Sequence, residues 1–307
     1  MTTALKAITY KSQTHPEHRF QNLSGLLDEN LFYESWGQLN KAAAPGIDNI
    51  KAVQYAANLS ENLSNLKASL KTGCYRSSPI KRVYIPKSNG GKRPLGLPTL
   101  EDKIVQQSVS QILQSIWEAD FLPNSYAYRP NKSAHGAVHS LCLNLQYKGY
   151  GYIVEADIKG FFNHINHHWL MQMLEQRIDD KRLLKLIQQW MKAKVIEPEG
   201  EIIKPTEGTP QGGVISPMLA NIYLHYVLDI WFEKVVKTKL EGKAMLIRYA
   251  DDFVIAFQFS RDAENFYKAL PHRLSKFGLE IAPEKTRLIR FSRFHPSRKR
   301  RDRKSVV

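Results

Sequence analysis

Arg248-Tyr249-Ala250-Asp251-Asp252-Phe253-Val254-Ile255 is the stretch on which the reading of this chain turns. Apolar residues flank two adjacent carboxylates on both sides. The run from Ala244 to Phe257 reads as strand, turn, strand, with Asp251-Asp252 at the turn. The pair therefore lies at the tip of a largely buried hairpin. Adjacent carboxylates at such a tip repel one another unless cations are present. Divalent magnesium is a natural remedy, because it prefers a few carboxylates plus phosphate oxygens. A plain solvated turn, where Asp is common, is the competing reading, and an Asp-Asp pair by itself favours it.

Asp157 is the second anchor. It ends the short apolar strand Tyr152 to Ile158 and precedes Lys159-Gly160-Phe161-Phe162. A carboxylate at the end of a central strand can meet a hairpin tip from a neighbouring strand. Three carboxylates then converge on two metal ions, and such a pair, roughly 3.5–4 Å apart, activates a 3′-hydroxyl and stabilises a leaving pyrophosphate. Capping the next turn explains Asp157 equally well.

Two further segments have chemical character. Gly208-Thr209-Pro210-Gln211-Gly212-Gly213-Val214-Ile215-Ser216-Pro217 has glycines that let backbone approach a substrate closely, and Gln211 offers an amide beside that turn. Pro217 fits the first turn of a long helix reaching about Val236, whose first N–H groups are free. A loop that simply feeds a helix is the alternative. Lys87-Ser88-Asn89-Gly90-Gly91-Lys92-Arg93-Pro94-Leu95-Gly96 is a basic hairpin around Asn89-Gly90-Gly91. Arg93 and Lys87 are suited to clamping a triphosphate, and Arg to bidentate contact. An exposed hairpin whose lysines keep it in solution is the plainer reading.

The rest of the chain supplies helices. Phe20, Leu23, Leu27, Leu31 and Leu39 recur at near-helical spacing, so 20–40 reads as an amphipathic helical region. Leu59, Leu63, Leu66 and Leu70 do the same, and Gly73 can end that helix. Further helices are expected over 101–117, 134–146, 167–176, 180–193 and 262–277. A hairpin is expected over 195–204 and a strand over 286–291. Mixed helices and hairpins without regular alternation point to α+β.

Composition bounds the partners. The chain has 307 residues, enough for two subdomains around a sizeable core. Its formal net charge is +15, and from Lys285 to Lys304 ten basic residues stand against one acid. A basic body with a basic tail fits a polyanion, either nucleic acid or an anionic membrane surface. Every apolar run is soon broken by charge, and Met1 to His18 holds no signal-peptide core, which weakens the membrane reading. Cys74 and Cys142 have neither metal-ligand spacing nor a disulfide pattern and read as small buried residues of a cytoplasmic protein.

These segments, in this order, resemble reverse transcriptases. Tyr249-Ala250-Asp251-Asp252 matches that family's catalytic hairpin motif. Gly208 to Tyr223 is similar to the group II intron-encoded branch, and so are Lys92-Arg93-Pro94-Leu95-Gly96-Leu97-Pro98-Thr99, Tyr126-Ala127-Tyr128-Arg129-Pro130, Ala44-Pro45-Gly46-Ile47-Asp48 and Pro283-Glu284-Lys285-Thr286. The resemblance covers roughly residues 20–294. Retrons and diversity-generating retroelements share the core but usually differ around the glutamine loop.

The resemblance implies a right-hand polymerase: an N-terminal extension over 1–19, fingers over 20–150, and a palm over 151–294 built on an antiparallel sheet packed with helices. It implies that Asp157, Asp251 and Asp252 are the catalytic residues and hold two Mg2+ ions, with Mn2+ as a substitute. Lys87 and Arg93 would hold nucleotide phosphates and Gln211 would line the nucleotide pocket. Phe162 would bar a 2′-hydroxyl, although it also reads as plain core beside Phe161. Lys285 would protonate the leaving pyrophosphate, although it is also one member of a basic run. The implied activity is RNA-directed DNA polymerisation from deoxynucleoside triphosphates, on an RNA template of intron kind with a DNA primer, in the bacterial cytoplasm and without a membrane. Oligomeric state is left open. Where relatives continue into a helical thumb, this sequence gives a basic tail over 295–307, so a thumb is expected to be missing. The alternative is then a chain that binds intron RNA without catalysis. An RNA-directed RNA polymerase on the same palm is disfavoured by Phe162.

Overall fold

The computed structural model describes residues 2–86 and 90–291. Its helices are α1 (Thr3–Thr14), α2 (Glu29–Gln38), α3 (Ala52–Ala56), α4 (Leu59–Thr72), α5 (Leu100–Trp117), α6 (Ala134–Tyr147), α7 (His167–Glu175), α8 (Lys181–Met191), α9 (Ser216–Leu224) and α10 (Ser260–Ser275). Its strands are β1 (Ile80–Pro86), β2 (Lys92–Leu97), β3 (Tyr152–Ala156), β4 (Val195–Ile196), β5 (Ile202–Ile203), β6 (Ala244–Tyr249), β7 (Asp252–Phe257) and β8 (Arg287–Arg290). The class is α+β.

Most ends follow from side chains that satisfy the free N–H groups of a first turn. Asp28 accepts from Leu31 N at 2.9 Å, Ser133 from Gly136 N at 3.0 Å and Asn166 from Trp169 N at 3.1 Å, opening α2, α6 and α7. Asp180 opens α8 by accepting from Arg182 N and Leu183 N. Gly73, at φ 73°, closes α4 in the left-handed conformation expected of it.

The chain divides into two compact units. The first comprises Met1–Leu122, Gly160–Tyr226 and Phe277–Leu279. Its centre is α5, on which Ile104, Val105, Val109, Ile112, Leu113, Ile116 and Trp117 are fully buried. Each such aliphatic side chain contributes roughly 1.5–3 kcal/mol by leaving water. Helix α1 lies on α5 through Ser12 Oγ, which donates to the Ile116 carbonyl at 2.6 Å. Helix α2 meets it at the buried Ser35–Ser108 hydroxyl pair, 2.7 Å apart. The sheet of this unit has the order β2-β1-β4-β5, antiparallel except for the parallel pairing of β1 with β4.

The second unit comprises Pro123–Lys159, Val227–Lys276 and Glu280–Val307. Its sheet, β6-β7-β3-β8, is antiparallel throughout. Val154, Ile255, Ala256 and Phe257 are fully buried in it, and α10, with Ala263, Phe266, Leu270 and Leu274 buried, meets the sheet where the Phe266 and Phe257 rings lie 5.5 Å apart.

Several expectations change. In the region 20–40 only Glu29–Gln38 is α-helical; Leu23–Leu26 is a single 3-10 turn between a left-handed Asn22 and the Asp28 cap. The long helix after Pro217 stays α-helical only to Leu224, then winds as π-helical turns over His225–Asp229 and Phe232–Val236. Cys74 and Cys142 are exposed, not buried. Among the described residues no helix is long and apolar enough to cross a membrane.

Candidate active site

Strands β6 and β7 are joined by only two residues. Their last register pair is Tyr249 with Asp252, so Ala250 and Asp251 form the loop and Asp252 opens β7. Ala250 has φ 57°. A positive φ at the first loop position is the twist-compatible hairpin geometry that usually selects glycine. Alanine there bears a local strain of about 1–2 kcal/mol.

Strand β3 lies on the other side of β7. Its register ends at Ala156 opposite Phe253, which brings the next residue, Asp157, level with Asp252. Backbone bonds secure Asp157: its carbonyl accepts from Ala282 N at 2.8 Å, and Lys159 N donates to the Glu280 carbonyl at 2.9 Å. The same returning segment turns through Lys285 N to Ala282 O and Thr286 Oγ1 to Ala282 O, at 3.0 and 2.8 Å. That turn carries the Lys285 amine onto the Asp157 carboxylate, to which it donates a hydrogen bond.

The electrostatics follow from this crowding. Burial pushes the Asp251 carboxyl above its ordinary range, the charges of Asp252 and Asp157 push it further, and Lys285 opposes them. Burial, then Asp157, likewise raises Asp252. The Asp157 hydrogen bond and charge raise Lys285. Asp157 itself is 8% exposed. The site has too little positive charge for its carboxylates, and one lysine partly offsets the deficit. An all-carboxylate donor set is hard, suits Mg2+ or Mn2+, and fits a divalent ion. Among the described residues no three acidic, histidine or cysteine side chains already form an ion-ready cluster; the contact of Lys285 with Asp157 takes up one of the candidate ligands.

The nucleotide candidates fall in the first unit, apart from Lys285. Arg93 is exposed on β2, opposite Ile85. Gly96 N donates to the Gln211 carbonyl at 2.6 Å, so the glutamine loop lies against the same strand. Gly212 has φ +107°, and a Cβ there would stand 2.7 Å from the Gly96 carbonyl oxygen. Gly208 would meet the Asn163 carbonyl oxygen at 2.7 Å, and Thr209 N donates to the Phe162 carbonyl at 2.8 Å. Backbone contact thus joins the segments bearing Arg93, Gln211 and Phe162. Phe161 is buried beside Tyr223, whereas Phe162 is half-buried. Lys87 and the basic tail over 295–307 lie outside the described residues.

The sequence reading assigned no role to Arg248, Asp229 or Ser125. All three are buried. Arg248 donates from Nε and Nη2 to the two carboxylate oxygens of Asp229 at 2.8 and 2.6 Å. The one available signal was a lone cation in an otherwise apolar strand, Ala244 to Tyr249, which demands a buried partner. Nothing local marks Asp229 as that partner.

The reverse transcriptase (RNA-dependent DNA polymerase) family profile matches residues 85–303. Protein YkfC of Escherichia coli (strain K12) is 34% identical over 274 residues, covering 79% of this chain and 72% of YkfC. The group II intron-encoded protein LtrA of Lactococcus lactis subsp. cremoris is 34% identical over 277 residues, covering 89% of this chain and 44% of LtrA. An uncharacterized 91 kDa protein in the cob intron of Schizosaccharomyces pombe is 28% identical over 315 residues, covering 86% of this chain and 38% of that protein. The chain therefore spans less than half the length of those two intron proteins. The family match establishes that the chain belongs to the reverse transcriptase (RNA-dependent DNA polymerase) family, with group II intron-encoded LtrA among its relatives.

Proposed function

We propose that this chain is an RNA-directed DNA polymerase of a group II intron-like retroelement, adding deoxynucleotides to a primer 3′-hydroxyl. The observation that supports it most is the register that sets Asp157 level with Asp252, one residue from Asp251, at the end of a buried antiparallel sheet. We read that sheet as the palm and the β1–β2 hairpin as part of the fingers.

Asp157, Asp251 and Asp252 would hold two Mg2+ ions, or Mn2+ in their place. Bound there, such ions supply Lewis-acid stabilisation of the attacking and leaving oxygens. The chain's own groups do the rest. Lys285 is kept protonated by Asp157, and we assign it proton donation to the departing pyrophosphate. Arg93, with Lys87, is assigned the triphosphate, for which a planar fork of donors is suited. Phe162 is assigned exclusion of a ribose 2′-hydroxyl, and Gln211 a contact to the incoming nucleotide. The template would be RNA, of intron kind by analogy with the names of the relatives, and the primer DNA.

Primer extension on an RNA template tests this reading. Wild-type protein should incorporate deoxynucleotides only with Mg2+ or Mn2+, and Asp251→Ala should not. Equal incorporation by both would remove the metal-site assignment. Tight RNA binding with no incorporation by the wild type would instead identify a non-catalytic RNA-binding protein.

A further inference from the structure

A cation in the middle of an apolar strand costs desolvation, and Arg248 is one, at 0% side-chain exposure; Asp229, which receives it, is also at 0%. Replacing such a pair by apolar residues of like volume is often neutral or stabilising. Stability alone therefore gives little reason for it to be ionic. The remaining contacts supply a reason. Arg248 Nη2 also donates to Ser125 Oγ at 2.8 Å, and Nη1 donates to the Ala250 carbonyl at 3.1 Å. The backbone of Arg248 is pinned as well: its N–H donates to the Asn124 carbonyl, and its carbonyl accepts from Tyr126 N, each at 2.9 Å.

We propose that Arg248, braced by Asp229 and Ser125, is a positioning residue that holds the Ala250 peptide and so sets the direction in which Asp251 leaves the turn. The inference rests on Asp157, Asp251 and Asp252 being the metal site of a polymerase. Ala250 occupies a left-handed position that alanine disfavours, so the turn needs an external hold. The Ala250 carbonyl belongs to the same peptide plane as the Asp251 nitrogen, and a bond to that carbonyl fixes the plane. The Nε–Nη2 edge of the guanidinium engages both oxygens of Asp229, while Nη1 donates to the Ala250 carbonyl. An ammonium has no such fork and cannot serve both in these directions. Arg248, Asp229, Ser125 and Ala250 all lie within one compact unit.

The test is the double variant Arg248→Met/Asp229→Leu, which removes both charges together with the Ala250 bond. We expect its melting temperature in chelator to stay within a few degrees of wild type. We expect kcat for primer extension to fall about 10–100-fold with the nucleotide KM nearly unchanged. Mn2+ binding, read from the free-ion signal in electron paramagnetic resonance, should weaken by a similar factor. Arg248→Lys keeps the buried charge and decides the matter if the double variant does not fold; it should show the same kcat and Mn2+ losses. A pair that serves stability alone would lose melting temperature, with activity merely following the folded fraction. A folded variant of either kind that binds Mn2+ and extends primers like wild type overturns the inference. Wild-type protein that neither binds Mn2+ nor extends primers overturns the metal-site reading and the inference with it.

Discussion

Hairpin β6–β7 has β6 at the edge of its sheet and β7 between β6 and β3, and the outer side of β6 is covered where Arg248 N donates to the Asn124 carbonyl and Tyr126 N donates to the Arg248 carbonyl. Hairpin β1–β2 leaves β2 at the edge of its sheet, and from Tyr84 outward its described side chains, through Pro86 and from Lys92 to Arg93, are exposed. The first ends in a two-residue loop, Ala250-Asp251, with Asp252 opening the next strand, and the Ala250 carbonyl is held by a fully buried arginine. The second carries cations, and Pro94 sits on its edge strand, where a missing N–H costs no ladder bond. The contrast follows from the charges. Carboxylates that share ions, as proposed for Asp157, Asp251 and Asp252, need fixed mutual distances, which a two-residue loop with a braced Ala250 peptide would supply. Cations that meet phosphates on a mobile substrate, as proposed for Arg93, would gain from the solvent exposure of their hairpin.

Substitutions test this contrast from its strongest element downward. Asp251→Ala, or Asp157→Ala, should reduce deoxynucleotide incorporation by on the order of 10³-fold or more, since several kcal/mol of charge stabilisation go with the ions. Single-turnover primer extension measures it; residual activity within tenfold of wild type would break the acidic half of the comparison. Arg93→Ala should raise the nucleotide KM by about 10–100-fold with a smaller change in kcat, as expected for a charge-assisted contact of about 1.5–3 kcal/mol. Arg93→Lys should recover only part of that loss. Steady-state kinetics with varied deoxynucleotide separates these, and an unchanged KM would leave the basic hairpin without its assigned role. Phe162→Ala should narrow discrimination against ribonucleotides by about tenfold or more, read from competing kcat/KM values.

The smallest effect is on stability. The folded-state affinities of Asp251 and Asp252 for protons are raised by burial, so their ionised forms are disfavoured in the fold. Stability from such groups is complete below the ordinary Asp range and is lost as pH rises through the raised value. In chelator, Asp251→Asn should therefore melt about 2–4 °C above wild type at neutral pH. The difference should vanish toward pH 3. A lower melting temperature for Asp251→Asn at neutral pH would mean that the carboxylate is favourably paired in the fold.

The legible parts of the molecule were those whose signals are local. Alternation and adjacency placed the hairpin turn to within one residue, at Ala250-Asp251 where Asp251-Asp252 was expected, and helical spacing with a following Gly73 placed α4. Asp157 was legible as the end of a strand, but its neighbour on the sheet depended on which strands pair. The parallel pairing of Ile80 with Val195 joins residues far apart in sequence, and no local pattern announces it. Helix α1 escaped because few apolar residues mark it. Leu5 and Ile8 are buried, but the next buried position is Ser12, whose hydroxyl bonds the Ile116 carbonyl. Lys285 was singled out by the family resemblance alone, its residue pattern reading equally as one cation in a basic run, and the contact with Asp157 depends on the turn that returns it there. The Arg248–Asp229 pair is the clearest limit: the sequence shows a charge in an apolar strand but not the acid that answers it.

The convergence of Asp157 with Asp251 and Asp252 is tested most directly by anomalous diffraction from crystals grown with Mn2+, a primer–template and a non-hydrolysable deoxynucleotide. We expect Lys285 to have left Asp157, and manganese peaks about 3.5–4 Å apart, coordinated by the Asp157 and Asp251 carboxylates with Asp252 beside them. Nucleotide bound with no manganese at these carboxylates, or manganese held elsewhere with Lys285 still on Asp157, would contradict it.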